Sequence, residues 1–209
     1  MSQKSPQPSP DDPSWIDQLK RGEARAFRLL IERYQGSIYQ VCLRLMGDAA
    51  EAEDMTQETF IRASQAIDRF RGESSLHTWL YRVAINLCKN RIAYLARRAH
   101  KRHDHLPQLE EKSGDLWQGR ARPSETLATP EQVAEGREAQ QLIEAALKAL
   151  PEHLRSAITL RDIEGLTYQE IVEVLNVPLG TVKSRIHQAR LQLMKQYEAL
   201  QDGEGSERL

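Results

Sequence analysis

The chain has 209 residues, 40 % of them apolar, and a formal net charge of −1. Mean hydropathy is −0.61, which is lean for one large core and suits two small helical domains with polar connections. Charge this balanced carries no signal for nucleic acid as a whole, so any such signal must be local, and no apolar run reaches the roughly 20 residues of a membrane span.

Residues 1–13 are rich in Ser, Gln and Pro and read as a disordered tail, not a targeting segment. Strand signals are nearly absent, and the fold class expected is all-α. Asp12 and Pro13 start a first helix with Trp15, Ile16 and Leu19 on its inner face. Phe27, Leu30, Ile31, Tyr34, Ile38, Val41 and Leu45 hold helical spacing over a long second one. Gly47-Asp48 reads as a stop followed by a cap. The next helix has Phe60, Ala63, Ile67 and Phe70 as its seam. The run from Arg71 to Ser75 breaks it, and either Ser74 or Ser75 can cap the helix that follows, whose stripe is Leu76, Leu80, Val83 and Leu87.

From Leu106 to Glu135 the periodicity fails under Pro107, Gly114, Gly119, Pro123 and Pro130, and acids outnumber bases. This reads as a flexible acidic linker, which fully extended reaches at most ~100 Å. Helices resume with Leu142, Ala146 and Leu150. Another opens at Pro151, carries Leu154, Ala157, Ile158 and Arg161, and ends near Gly165.

Leu166 to Arg190 then has the form of a helix-turn-helix. Thr167 and Glu170 make a capping box. Ile171, Val174 and Leu175 give the first helix an apolar face, and Asn176-Val177-Pro178 breaks it. The second helix places Val182, Ile186, Ala189 and Leu193 on one side. Its other side offers Lys183, Ser184, Arg185, His187, Gln188 and Arg190, with no acid from Pro178 to Tyr197. Such a face suits the phosphates and base edges of a DNA major groove; the plainer reading is a solvated basic face.

Charge is segregated in the first half too. Asp48, Glu51, Glu53, Asp54 and Glu58 form an acidic run, and Arg82, Lys89, Arg91, Arg97, Arg98, Lys101 and Arg102 an acid-free one. Either two solvated faces attract each other, or one face meets a basic protein and the other DNA phosphate. Cys42 and Cys88 read as reduced, buried thiols. His100, His103 and His105, near Cys88, have a spacing that matches no closed zinc site. No cofactor, metal or enzymatic activity is expected.

Three stretches in order, GDAAEAEDMTQETFIRA, FRGESSLHTWLYRVAINLCKNR and LPEHLRSAITLRDIEGLTYQEIVEVLNVPLGTVKSRIHQAR, resemble the extracytoplasmic-function (ECF) sigma factors of the sigma-70 family. The resemblance implies a sigma-2 helical bundle at 14–102, a linker at 103–136, a sigma-4 helix-turn-helix domain at 137–197 and a second disordered tail at 198–209. It implies binding to the β′ clamp helices and β flap of core RNA polymerase, promoter-specific initiation, control by an anti-sigma factor, and a cytoplasmic protein without membrane insertion. Asp54, Gln57 and Glu58 match the polymerase-contact positions. Phe70, Arg71, Ser74, Ser75 and Asn86 match the element that reads the melted −10 sequence, with Lys89, Asn90, Arg97 and Arg98 on phosphates. Arg161, Thr181, Lys183, Ser184, Arg185, His187, Gln188 and Arg190 fall where the family meets the −35 element. The family often has Arg where this chain has Gln188, a departure that bears on which base is preferred. A helix-turn-helix regulator acting without polymerase would explain Leu166–Arg190 but not the DMTQETF stretch.

Overall fold

The computed structural model of the chain describes residues 12–103 and 142–206, and among these there are helices and no strand. The tail expected before residue 12 and almost all of the expected linker lie outside the described residues, as do His105 and the side chains of His100 and His103.

Helix α1 (Pro13–Lys20) starts at Asp12, whose carboxylate accepts from the Ser14 backbone N–H. Its Trp15 and Leu19 are buried against the bundle. Helix α2 (Ala24–Met46) buries Leu30, Tyr34, Ile38, Val41 and Leu45, the stripe that the 3.6-residue period selects. Ile31 lies beside that stripe and stays exposed. Gly47 ends α2 at φ +70°, a left-handed conformation that glycine adopts without a Cβ clash. Asp48 then caps α3 (Ala49–Ala66) through the Glu51 N–H at 2.9 Å.

The buried side of α3 is made of small residues, Ala52, Thr59 and Ala63, where the sequence seam had also included the bulkier Phe60, which is half-buried. Small residues at a helix contact let the axes come close. A 3₁₀ turn (Ile67–Arg69) follows. Of the two candidate caps, Ser75 closes the next helix: its Oγ accepts from the Thr78 N–H at 3.1 Å. Helix α4 (Leu76–His103) buries Leu76, Leu80, Ala84, Ile85 and Cys88, while Val83 and Leu87 sit half-buried at the stripe's edge. Cys42 and Cys88 are free and buried. Burying one such Leu or Ile stabilises by about 1.5–3 kcal/mol.

The second domain begins with α5 (142–149). Helix α6 (Glu152–Ile158) runs into a π-helical turn (Thr159–Ile163), followed by α7 (Tyr168–Leu175) and α8 (Leu179–Ser206). Leu147, Leu150, Leu154, Ile158 and Ala189 form one apolar cluster that ties α5 and α6 to α8. Helix α8 runs past the boundary read at 197, so most of the tail expected at 198–209 is helical. Glu198, Ala199, Leu200 and Gln201 are all good helix formers, and no breaker precedes Gly203.

The two domains pack on each other, chiefly α4 against α7. Leu160, Leu166, Ile171, Val174 and Leu175 belong to the same apolar cluster as the α2–α4 core. An acidic linker gives no hint of this closeness.

Candidate nucleic-acid interface

The helix-turn-helix forms as its local chemistry dictates. The Glu170 N–H reaches the Thr167 hydroxyl at 3.3 Å, and the Thr167 N–H returns to the Glu170 carboxylate at 2.8 Å, completing the capping box. Asn176 takes the left-handed conformation at φ 52° and ends α7. Asparagine is among the few residues that tolerate it. Helix α8 then buries Val182, Ile186 and Ala189, which fixes its roll about its axis. That roll leaves Lys183, Ser184, His187 and Gln188 exposed together, with Thr181 and Arg185 half-exposed beside them.

Two arginines in this region already hold protein groups. Arg161 donates to the Leu166 carbonyl at 2.8 Å and lies 4.8 Å from the Tyr168 ring centroid, so it braces the turn into α7. Arg190 makes two bonds, 2.9 and 2.6 Å, to the Asp162 carboxylate of the π turn. Ser184 Oγ bonds the Thr181 carbonyl at 3.0 Å.

In the first domain, Asp54 and Gln57 are exposed on α3, and half-exposed Glu58 accepts from Arg62 Nε at 2.6 Å. The acidic and basic runs do meet at one point: Arg91 of α4 clasps Glu51 through bonds of 2.6 and 2.8 Å. Asn86, Asn90, Arg97 and Arg98 are exposed along α4, and Lys89 is half-exposed. The loop before α4 opens on a cavity of about 420 Å³, lined by Arg69, Phe70, Arg71, Glu73, Ser74, Trp79, Arg82 and Glu173. Phe70 and Trp79 are both buried and tilt against each other at 5.5 Å, forming an apolar wall. Ser74 lines the cavity, whereas the Ser75 hydroxyl is spent on the helix cap and on Thr78 Oγ1.

An acid-bearing helix, a cation-rimmed cavity with an aromatic wall and an open recognition helix thus lie in sequence order on one chain. Residues 30–98 match the family described as Sigma-70 region 2, and residues 140–193 the one described as Sigma-70, region 4. The chain is 38 % identical over 189 residues to RNA polymerase sigma-H factor of Pseudomonas aeruginosa, covering 90 % of this chain and 95 % of that one. It belongs to the ECF sigma factors of the sigma-70 family. It directs promoter-specific initiation of transcription. The ECF RNA polymerase sigma-E factor of Escherichia coli K12 is 36 % identical over 177 residues, 84 % of this sigma factor and 88 % of the relative. The fold matches CnrH, solved with the cytosolic domain of CnrY, at a TM-score of 0.62 and 22 % identity over 90 % of this chain and 98 % of that one. It also matches RpoE of Bartonella quintana, solved with the anti-sigma factor NepR, at 0.62 and 21 % over 84 % and 98 %.

Some site features of this sigma factor escaped sequence reading. Arg69 and Arg82 rim the cavity, and Glu173 reaches it from the second domain. The acid-free run around Arg82 pointed to that residue in part. Glu173 carried no signal, because its place depends on how the domains pack. Among the described residues no group of His, Cys, Asp and Glu gathers as a metal site, and no helix is long and apolar enough to cross a membrane.

Proposed function

We propose that this sigma factor divides its work among three faces. The exposed face of α3, with Asp54, Gln57 and Glu58, docks on a cationic coiled coil of core RNA polymerase. Carboxylates and an amide one helical turn apart meet Arg and Lys there. The Phe70–Ser75 loop and α4 read the melted −10 strand: an unstacked base enters the cavity beside Phe70 and Trp79, with Asn86 available to a base edge. Lys89, Asn90, Arg97 and Arg98 hold phosphates. Helix α8 reads the −35 major groove through Lys183, Ser184, His187 and Gln188, flanked by Thr181, Arg185 and Arg190. Arg161 acts mainly by bracing the turn that aims α8.

The single observation that carries this reading is the roll of α8. Val182, Ile186 and Ala189 are buried and the acid-free face stands open, with Lys, Ser, His and Gln aligned. The protein acts as a non-enzymatic specificity subunit in the cytoplasm, and an anti-sigma factor controls it, as the complex of Bartonella quintana RpoE with NepR suggests. The domain limits proposed are 14–102 and 137 onward, with the acidic segment between them threading through polymerase. Run-off transcription with core polymerase tests the whole reading. Charge reversal on α3 should abolish all initiation, whereas changes on α8 should alter promoter choice. Changes on α8 that leave promoter choice untouched would overturn the division.

A further inference from the structure

The chain has two cysteines, and folding brings them together. Cys42 lies one turn before the end of α2 and Cys88 midway along α4, and each is 0 % exposed in the core of the first domain. A side-chain hydrogen bond joins the two thiols across the helix contact. The Thr56 hydroxyl of α3, which donates to the Ala52 carbonyl at 2.7 Å, is the other polar neighbour of Cys42. Cysteine packs as a small apolar residue, so either thiol alone would be mere filling. Two thiols in contact on facing helices are also the reactants of a disulfide. Neither docking nor promoter reading uses them.

The pair sits where a bond would be felt. The segment between the two sulfurs carries α3, the −10 loop and the first turns of α4. On α4, Cys88 is flanked by exposed Asn86 and Asn90 and by half-exposed Lys89. One turn further on, Arg91 clasps Glu51 of α3 at 2.6 and 2.8 Å. Thiols in hydrogen-bond contact stand farther apart than the about 2.05 Å of a sulfur–sulfur bond. The interior is close-packed, so closing that gap draws α4 toward α2 as a unit and carries Asn86, Lys89 and Asn90 with it. Asp54 and Gln57, exposed on α3, lie on neither of the bridged helices.

We propose that Cys42 and Cys88 are a redox modification site: a peroxide links them in a reversible disulfide, and the linked domain no longer reads the −10 strand. The second half of this rests on the −10 reading given above. The Cys42 thiolate attacks one oxygen of hydrogen peroxide, the O–O bond breaks, and the departing hydroxide takes the Cys42 proton to leave as water. Cys42 is then a sulfenic acid. The Cys88 sulfur attacks the Cys42 sulfur, the S–O bond breaks, and the hydroxide leaves with the Cys88 proton as a second water. Two thiols and one peroxide thus give one disulfide and two waters, and the two electrons lost by sulfur reduce the peroxide oxygens. The roles follow from the hydrogen bond. Cys88 lowers the Cys42 thiol, against the opposing effect of burial. The same bond, together with burial, pushes the Cys88 thiol up. The thiolate is the nucleophile, so Cys42 reacts first. Because both sulfurs are buried, the oxidant reaches them only when α2 and α4 open locally, and the site answers to sustained exposure. A dithiol returns the bridge to two thiols by exchange.

The test begins with the full wild-type chain, which is treated with hydrogen peroxide, freed of it, denatured and alkylated. Mass spectrometry should show the loss of two hydrogens, a peptide joining Cys42 to Cys88, and recovery of both thiols after dithiothreitol. Oxidised and re-reduced chains are then assembled with untreated core polymerase. Fluorescence anisotropy reads binding of a single-stranded oligonucleotide carrying the −10 motif selected by the holoenzyme. Oxidation should weaken that binding roughly tenfold, the loss of about one base contact, and re-reduction should restore it. Affinity for core should stay within about twofold. Cys88→Ala, checked for helicity by circular dichroism, should form no bridge and keep its strand binding after the same treatment. Thiols that still alkylate fully, or that gain only oxygen, would overturn the proposal without recourse to a variant. A mapped bridge with unchanged strand binding would overturn the claim that it silences −10 reading. A reduced holoenzyme that fails to prefer motif over scrambled strand would overturn the −10 reading and the silencing with it, whereas the bridge itself is read by mass alone.

Discussion

Glu58→Lys separates docking from folding, because the structure sets different scales for the two. Glu58 and Arg62 form an i,i+4 pair at 2.6 Å whose side chains are 34 % and 61 % exposed. An exposed helical pair of this kind contributes about 0.3–0.5 kcal/mol. Reversal replaces it with like-charge repulsion of similar size, so the fold loses about 1 kcal/mol at most. Docking on a cationic partner works on another scale. Breaking one side of a close interfacial charge pair costs about 2–5 kcal/mol, and 2 kcal/mol is roughly 30-fold in Kd. The variant should therefore melt within a few degrees of the parent while its Kd for core polymerase rises roughly 30-fold or more. Thermal melting followed by circular dichroism and titration of labelled protein with core measure the two effects on one sample. Unchanged affinity in a folded variant would refute the placement of core on this face.

Glu51→Gln should do the reverse. It breaks the two-bond clasp to Arg91, lowering stability by about 1 kcal/mol and leaving core affinity within about twofold, as paired melts and titrations would show. Gln188→Arg should move the preferred −35 base toward guanine, with discrimination of about 1–3 kcal/mol; holoenzyme selection on randomised −35 sequences reads it, and an unchanged motif would remove Gln188 from the groove. Ser74→Trp should fill the cavity and abolish holoenzyme preference for a −10 single strand while −35 selection stays the same; retained strand preference would move −10 reading onto Asn86 and Asn90. Burial raises the Glu170 carboxyl, but bonds from Thr167 and Thr78 outweigh it and hold the group below its ordinary value. Its stabilising effect is therefore present at neutral pH and lost as pH falls through the depressed value. Acid should lower the melting temperature of the parent more than that of Glu170→Gln, and parallel acid sensitivity would contradict the linkage.

What the sequence made legible was local. The capping box at Thr167 and Glu170, the stop at Gly47 and the cap at Asp48 lie within a few residues of their partners, and all three form as the residues suggest. The apolar face of α8 was equally plain, because Val182, Ile186 and Ala189 follow one helical period. The α3 seam was less so: its buried positions are Ala52, Thr59 and Ala63, and small residues leave little hydrophobic signal for a close helix contact. The partners of Arg161 within the chain were not legible either. Its type suits a phosphate, yet its guanidinium holds the Leu166 carbonyl and lies over Tyr168. Tyr81, Arg44 and Glu164 are far apart in sequence, and no pattern in the chain links them. Only tertiary packing brings them together, which is why this contact between the domains was not readable beforehand.

This chain should give core RNA polymerase its promoter specificity through two elements read by two domains. Run-off transcription on a randomised promoter library, with core alone, chain alone and the two together, tests it most directly. Transcripts with defined starts should come only from the mixture, with a selected motif of separate −35 and −10 blocks. Starts from the mixture that match those of core alone, or a selected motif lacking either block, would contradict it.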